Sequence, residues 1–364
     1  MKLDKKLILS MENLEYKSEK TMTNSSIEDI KKNLDILPIV LKWFQSINIE
    51  KLSINDNIVK IVLDEDILSV ENKFFLLDSK IDVLSKEVLL DINNLYLKDY
   101  NILFKGKAKI DYFDEELKYF GDIYYQDLIV SGNIDITKNR VNFFIKSEIF
   151  KNLHFLKKYL VLPEVANSWM YDNVTGDFKL NWFYGEFDLN KNKIIEKSLQ
   201  GDAVIENAKI RFENSLEEIN TSKVNVNFKN STLHFDLVDA IYKEKELKNS
   251  FVTIKDIANE NSGLVLVNIE AKTSLDKDIL GILEAYGIVV PVVQKNGETQ
   301  AKLLLSFPYA EDKPMSYNGV FIAEKSNISI SSFDFETNGA KVILENDLLY
   351  INDASFIYQD MVDA

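Results

Sequence analysis

Apolar and polar residues alternate with a period of two through most of this chain, and few foldable architectures tolerate that. Lys223 to Ala240 reads KVNVNFKNSTLHFDLVDA. Val224, Val226 and Phe228 fall on one side of an extended strand, and Asn225, Asn227 and Lys229 on the other. After the polar Asn230-Ser231-Thr232 turn, Leu233, Phe235 and Leu237 alternate with His234 and Asp236. A hairpin with one apolar and one wet face is expected. Asn133 to Thr137 and Val141 to Ile145 flank a second turn at 138–140. Phe178, Leu180, Trp182 and Tyr184 alternate toward an expected turn near Gly185, with Phe187 and Leu189 returning. Ala203 and Ile205 lead through Asn207 to Ile210 and Phe212.

Turn signals recur about every 8–12 residues, and they predict on the order of twenty antiparallel strands. With only 5 Pro and 12 Gly in 364 residues, little interrupts them. Open twisted sheets rarely exceed ~10 strands without curling or splitting, so a trough, barrel or sandwich is required. Two distant segments repeat: KIVLDEDILSV over 60–70 and KVILENDLLYI over 341–351. Both read as hairpins, turning at Asp64-Glu65-Asp66 and Glu345-Asn346-Asp347.

Three segments change period. SSIEDIKKNLDILPIVLKWFQSI predicts a helix over 25–47, capped by Ser25 and Glu28 and kinked at Pro38. A second helix is expected to start near Ser147, with Ile149, Leu153, Leu156 and Leu160 on one face and Pro163 opening a short follow-on helix. A third covers 275–286, stopped by Gly287. The expected organisation is a first β-segment over 1–148, a helical interruption over 149–175 and a second β-segment over 176–364. These read as one continuous elongated unit and a fragment of a longer chain.

The chain carries 43 basic and 58 acidic residues and no Cys. Nucleic acid is not an expected partner, because phosphate contacts need a basic excess. Thiol catalysis and thiolate metal sites are excluded. No stretch is long enough to span a bilayer as a helix, and Leu7-Ile8-Leu9 is too short for a signal core. Neither a phosphate-binding glycine loop nor G-x-S-x-G occurs. His154 and His234 both read as structural. The acidic clusters Asp64-Glu65-Asp66, Asp114-Glu115-Glu116 and Glu217-Glu218 fall at turns, where solvated charge is ordinary. Asp188, Asn190 and Asn192 imitate a calcium loop, but Lys193 and Leu199 stand where Gly and Glu are required. No enzyme, metal or cofactor is expected.

What remains distinctive is an apolar face rich in aromatics, drawn from 3 Trp, 16 Tyr and 22 Phe. Periodicity alone leaves two readings open: a filled sandwich core, or a groove for acyl chains. From Leu162 the order is LPEVANSWMYDNVTGDFKLNWFYGEFDL, then LQGDAVIENAKIRFENSLEEINTSKVNVNFKNSTLHFDLVDA from Leu199. This succession of a Trp-bearing helix, a Gly-x-Phe strand pair and small-apolar strands resembles the AsmA-like family, in its YhdP and TamB branch. The segment IEKLSINDNIVKIVLDEDILSV over 49–70 is similar to strand–turn–strand units of such proteins.

The resemblance implies an all-β fold: a long curled antiparallel sheet forming a trough, capped by amphipathic helices. It implies non-enzymatic phospholipid transport between inner and outer membranes, supporting outer-membrane integrity. The protein would be periplasmic and held at the inner membrane by an anchor absent from this sequence. Phospholipid acyl chains and further envelope proteins are then the expected partners. The expected groove wall is Phe178, Leu180, Trp182, Val224, Val226, Phe228, Leu233, Phe235 and Leu237. A surface β-module that binds protein, and a carbohydrate-active β-protein using paired carboxylates, are the alternatives.

Overall fold

A computed structural model describes residues 7–16, 43–54, 57–84, 87–111, 113–158, 162–213, 215–257, 259, 261–310, 312–358 and 362–363. The alternating segments become strands, and the chain divides into two units. One holds residues 1–150 and 182–199, the other residues 151–181 and 200–364.

In the first unit the strands are β1 Leu7–Tyr16, β2 Phe44–Ile54, β3 Asn57–Asp64, β4 Ile67–Asn72, β5 Phe75–Val83, β6 Glu87–Leu97, β7 Ile102–Asp111, β8 Glu116–Tyr125, β9 Leu128–Ile136 and β10 Arg140–Ser147. The second half of β11 (Val174–Asp188) and the short β12 (Lys193–Ile194) complete it. From β2 onward each strand pairs antiparallel with the next, and β10 pairs with β11. β1 and β2 are the exception, running parallel. Among the described residues β1 has no pairing beyond β2 that would close the sheet into a barrel. Glu65, Asn101, Glu115 and Gln126 take positive φ at four of the hairpin tips. Carboxamide and carboxylate side chains close other turns locally. Asn72 Oδ1 accepts from the Phe74 and Phe75 amides, and Asp111 Oδ1 from those of Phe113 and Asp114.

The second unit begins with α1, Glu164–Tyr171, directly after Pro163. Its strands are β13 Gln200–Ile210, β14 Ile219–Lys229, β15 Thr232–Val238, β16 Ala240–Tyr242, β17 Lys245–Leu247, β18 Phe251–Lys255, β19 Leu264–Thr273, β20 Val292–Gln294, β21 Thr299–Pro308, β22 Ser316–Ala323, β23 Ser326–Ile330, β24 Phe333–Thr337, β25 Ala340–Glu345, β26 Leu348–Asn352, β27 Phe356–Tyr358 and β28 Val362–Asp363. The main antiparallel ladder is β13-β14-β15-β18-β19-β21-β22-β25-β26. β20, β23, β24, β27 and β28 form a second sheet. Between β19 and β20 lies α2, Lys277–Ala285. Asp276 caps it by accepting from the Asp278 and Ile279 amides, and Gly287 leaves it at φ 73°.

The architecture is the expected all-β one, with helices as brief interruptions, and several local expectations are corrected. β11 runs straight through Gly185 without turning. A Cβ there would lie 2.4 Å from the Phe143 ring, so the glycine admits a neighbouring side chain and bends nothing. β13 likewise continues through Asn207, whose positive φ is absorbed while β13 stays paired with β14 on both sides of it. Ser147 ends β10, and the helix expected from there is reduced to one tight turn, His154–Lys158, ahead of α1; Leu160 lies outside the described residues. Phe44 to Ile47 belong to β2, held between β1 and β3, and not to a helix; residues 25–42 of the expected helix lie outside the described ones.

Candidate functional site: two apolar sheet faces

Register places the apolar side chains of the first unit in cross-strand rows. One row runs Ile81, Leu90, Ala108, Tyr119, Ile134, Phe143. A second runs Leu77, Leu95, Phe104, Ile123, Val130. Between them Gly106, Gly121 and Gly132 stand directly opposite one another. A Cβ on any of the three would lie 2.1–2.3 Å from a carbonyl oxygen of the adjacent strand. The backbones approach along this line more closely than any side chain permits, the condition for a sharp bend in a sheet. Tyr119 lies beside this line of glycines. Its Oη sits 2.9 Å from both the Lys105 and Asp122 carbonyls, and its ring meets Phe104 edge-on at 5.7 Å. Burial, reinforced by the Asp122 charge, pushes the phenol up to about 12.

This face is only partly covered. Val88, Ile92 and Tyr119 are buried, but Phe104, Ile123, Val130, Phe143 and Ile145 keep intermediate exposure. The other side of the same strands carries charge, including Lys105, Lys107, Lys118 and Asp135. One side of the sheet is therefore mainly polar and the other mainly apolar.

In the second unit the expected wall residues of β14 and β15 do share a face. Val224 lies opposite Leu237, Val226 opposite Phe235, and Phe228 opposite Leu233. The row containing Val226 and Phe235 continues through Val252, Val267 and Leu305. Here the face is more fully covered: Val224, Val226, Leu233 and Leu237 are buried, and Phe228 and Phe235 keep intermediate exposure. Trp169 of α1 packs over it, enclosing a small cavity with Ile210, Val224, Phe235, Leu237 and Val252. Ile254, Val265 and Leu305 have no exposed surface at all. Farther along, α2 and the second sheet enclose an apolar cavity of ≈ 70 Å³ against Phe321, Val342, Leu344, Leu349 and Ile351.

Phe178 is buried and Leu180 half-buried on the first half of β11, in this second unit. Trp182 belongs to the first unit. It stacks on Phe144, centroids 6.3 Å apart and planes 5° apart. That is the strand side opposite Phe143, Phe183 and Phe187, so Trp182 does not join the apolar rows of that unit. The part-open face over β5 to β11 is not among the expected wall residues; its signal in the sequence is the alternation together with glycines at 106, 121 and 132.

The titratable groups have local partners. His234 sits between Thr253 Oγ1 at 2.7 Å and Asp236 Oδ1 at 3.0 Å, and His154 Nε2 is 3.0 Å from the Tyr171 carbonyl. Glu218 pairs with Arg211 at 2.7 Å, and Glu217 with Lys243 at 3.5 Å. Asp188 accepts from the amides of Asn190 and Lys191, and the Lys191 amide does most to hold its carboxyl below the usual range. Among the described residues no group of three His, Asp or Glu could hold a metal ion, and no helix is long and apolar enough to cross a membrane.

A family model described as YhdP protein matches residues 151–360. No curated protein and no solved structure matches the chain.

Proposed function

Starting from the premise that this chain belongs to the YhdP family, of the AsmA-like group of bacterial envelope proteins, we propose that it carries phospholipid acyl chains along an apolar sheet face and performs no covalent chemistry. The observation that carries this reading is the part-open apolar face of β5 to β11, with close backbone approach at Gly106, Gly121 and Gly132 and charge on its other side. Such a face needs area and shape only. Each CH₂ moved onto it from water gains about 0.8 kcal/mol, so a chain of a dozen or more methylenes is held without any specific contact. A periplasmic location, passage between inner and outer membranes, further envelope proteins at either end and a role in outer-membrane integrity belong to the same proposal.

The test is organic extraction of the purified chain and mass spectrometry of the extract against a mock preparation. Retained phospholipid near one molecule per chain supports the proposal, and Ile123→Asp should then abolish it while the β-type circular dichroism stays unchanged. Lipid no higher than the mock would favour a structural β-module that binds protein. The covered face of the second unit makes that reading specific, because Val224, Ile254 and Leu305 are already packed by protein.

A further inference from the structure

The two repeated eleven-residue segments fold alike and are finished differently. In the first, β3 and β4 pair Leu63 with Leu68 and Ile61 with Val70. In the second, β25 and β26 pair Leu344 with Leu349 and Val342 with Ile351. The tips match too, with Glu65 at φ 52° and Asn346 at φ 49°. On the inner side both hairpins are joined to the rest of their sheet, β3 by β2 and β25 by β22. On the outer side β4 carries β5, paired from Ile67 with Lys80 to Glu71 with Leu76. Among the described residues β26 pairs with β25 alone.

That edge has none of the usual protection. Its sequence is LLYIN, with no charge, Pro or Gly. Leu348, Tyr350 and Ile351 are 58%, 44% and 45% exposed. On the inner face Leu349 and Ile351 border the apolar cavity. The repeat also supplies charge complementarity. Lys80 of β5 reaches Asp66 at the tip of the first hairpin, at 3.6 Å, and the residue equivalent to Asp66 in the second is Asp347.

We propose that the edge of β26 is a docking site for an extended strand of a partner polypeptide, added antiparallel as β5 is added to β4. The strand it fits has a small residue facing Leu349, an apolar residue facing Ile351 and a basic residue directed at Asp347, as Ser79, Leu77 and Lys80 of β5 stand to Leu68, Val70 and Asp66. Main-chain hydrogen bonds give such a contact its affinity and the alternate side chains its selectivity.

The probe is a labelled synthetic peptide with the sequence of β5, FLLDSKIDV, titrated with the full chain by fluorescence anisotropy. Saturable binding is expected. Tyr350→Pro should weaken it at least tenfold, a loss of about 1.4 kcal/mol or more. Replacing the peptide's lysine by glutamate should weaken it severalfold. If the proline variant loses its circular dichroism signal, Tyr350→Lys, an outward charge on the same edge, takes its place. No binding up to about 1 mM, or equal binding to wild type and variants, overturns the proposal. A dimer in analytical ultracentrifugation that Tyr350→Lys dissociates also overturns it, because the occupant would then be a second copy.

Discussion

Three glycines and a tyrosine do the most specific work at the level of single residues. Gly121 has a Lys105 carbonyl oxygen 2.1 Å from where a Cβ would sit, and the neighbour is backbone, which cannot step aside. Gly121→Ala should therefore cost roughly 3 kcal/mol or more, far above an ordinary Gly→Ala change; a denaturant midpoint with unchanged slope measures it. Tyr119 makes a pH prediction. Its phenol is raised from the ordinary 10.0 to about 12, so the folded state favours the protonated form. Its contribution is full below pH 10 and is lost as the pH rises toward 12. Tyr286 and Tyr309 are pushed up by burial as well, so Tyr119→Phe should lessen the alkaline fall in melting temperature without abolishing it.

Hairpins are the elements that sequence marks best, because their tips demand residues that accept positive φ. Asn230 and Ser231, both at positive φ, turn β14 into β15 where a polar triplet breaks the alternation, and Glu65 and Asn346 do so in the repeated pair. The same signals mislead inside a strand. Gly185 and Asn207 look like turn residues, yet one makes room for the Phe143 ring and the other is carried within a paired ladder. Ile149, Leu153 and Leu156 have helical spacing but sit around a single turn, where tertiary context outweighs a weak local preference. At α2 the cap was hidden in charge. Burial pushes Asp276 up, but the Lys245 ammonium at 2.8 Å and two helix amides outweigh it and hold the carboxyl below its ordinary range. Asp276→Ala should cost about 1–2 kcal/mol, and Asp276→Asn less. The carboxylate's share is present above pH 3.8 and is lost as the pH falls through its lowered value. An acid titration of the two variants against wild type checks the sign.

For the whole molecule, the class of fold was legible because period-two alternation is the same in any strand. What covers each face was not. Val224 and Ile123 sit in equally regular alternation, yet Val224 is 1% exposed beneath a helix-covered face and Ile123 stays partly open. Burial is set by which distant segment folds over a strand, and a single strand's sequence does not record that. The distinction is testable. Val224→Asp buries an unpaired charge and should collapse the second unit, seen as lost cooperativity in thermal unfolding. Ile123→Asp should leave the melting curve nearly unchanged and act on lipid content alone.

From β2 to β10 every strand pairs with the one made just before it. A ribosome delivers such a sheet in assembly order. Each hairpin closes over a short loop, at little entropic cost, and the sheet grows at one edge, which the next strand quickly covers. Contacts this local favour fast, directional zippering over the slow search that long-range β-topologies require, so this part of the chain can finish folding while the rest is still being translated.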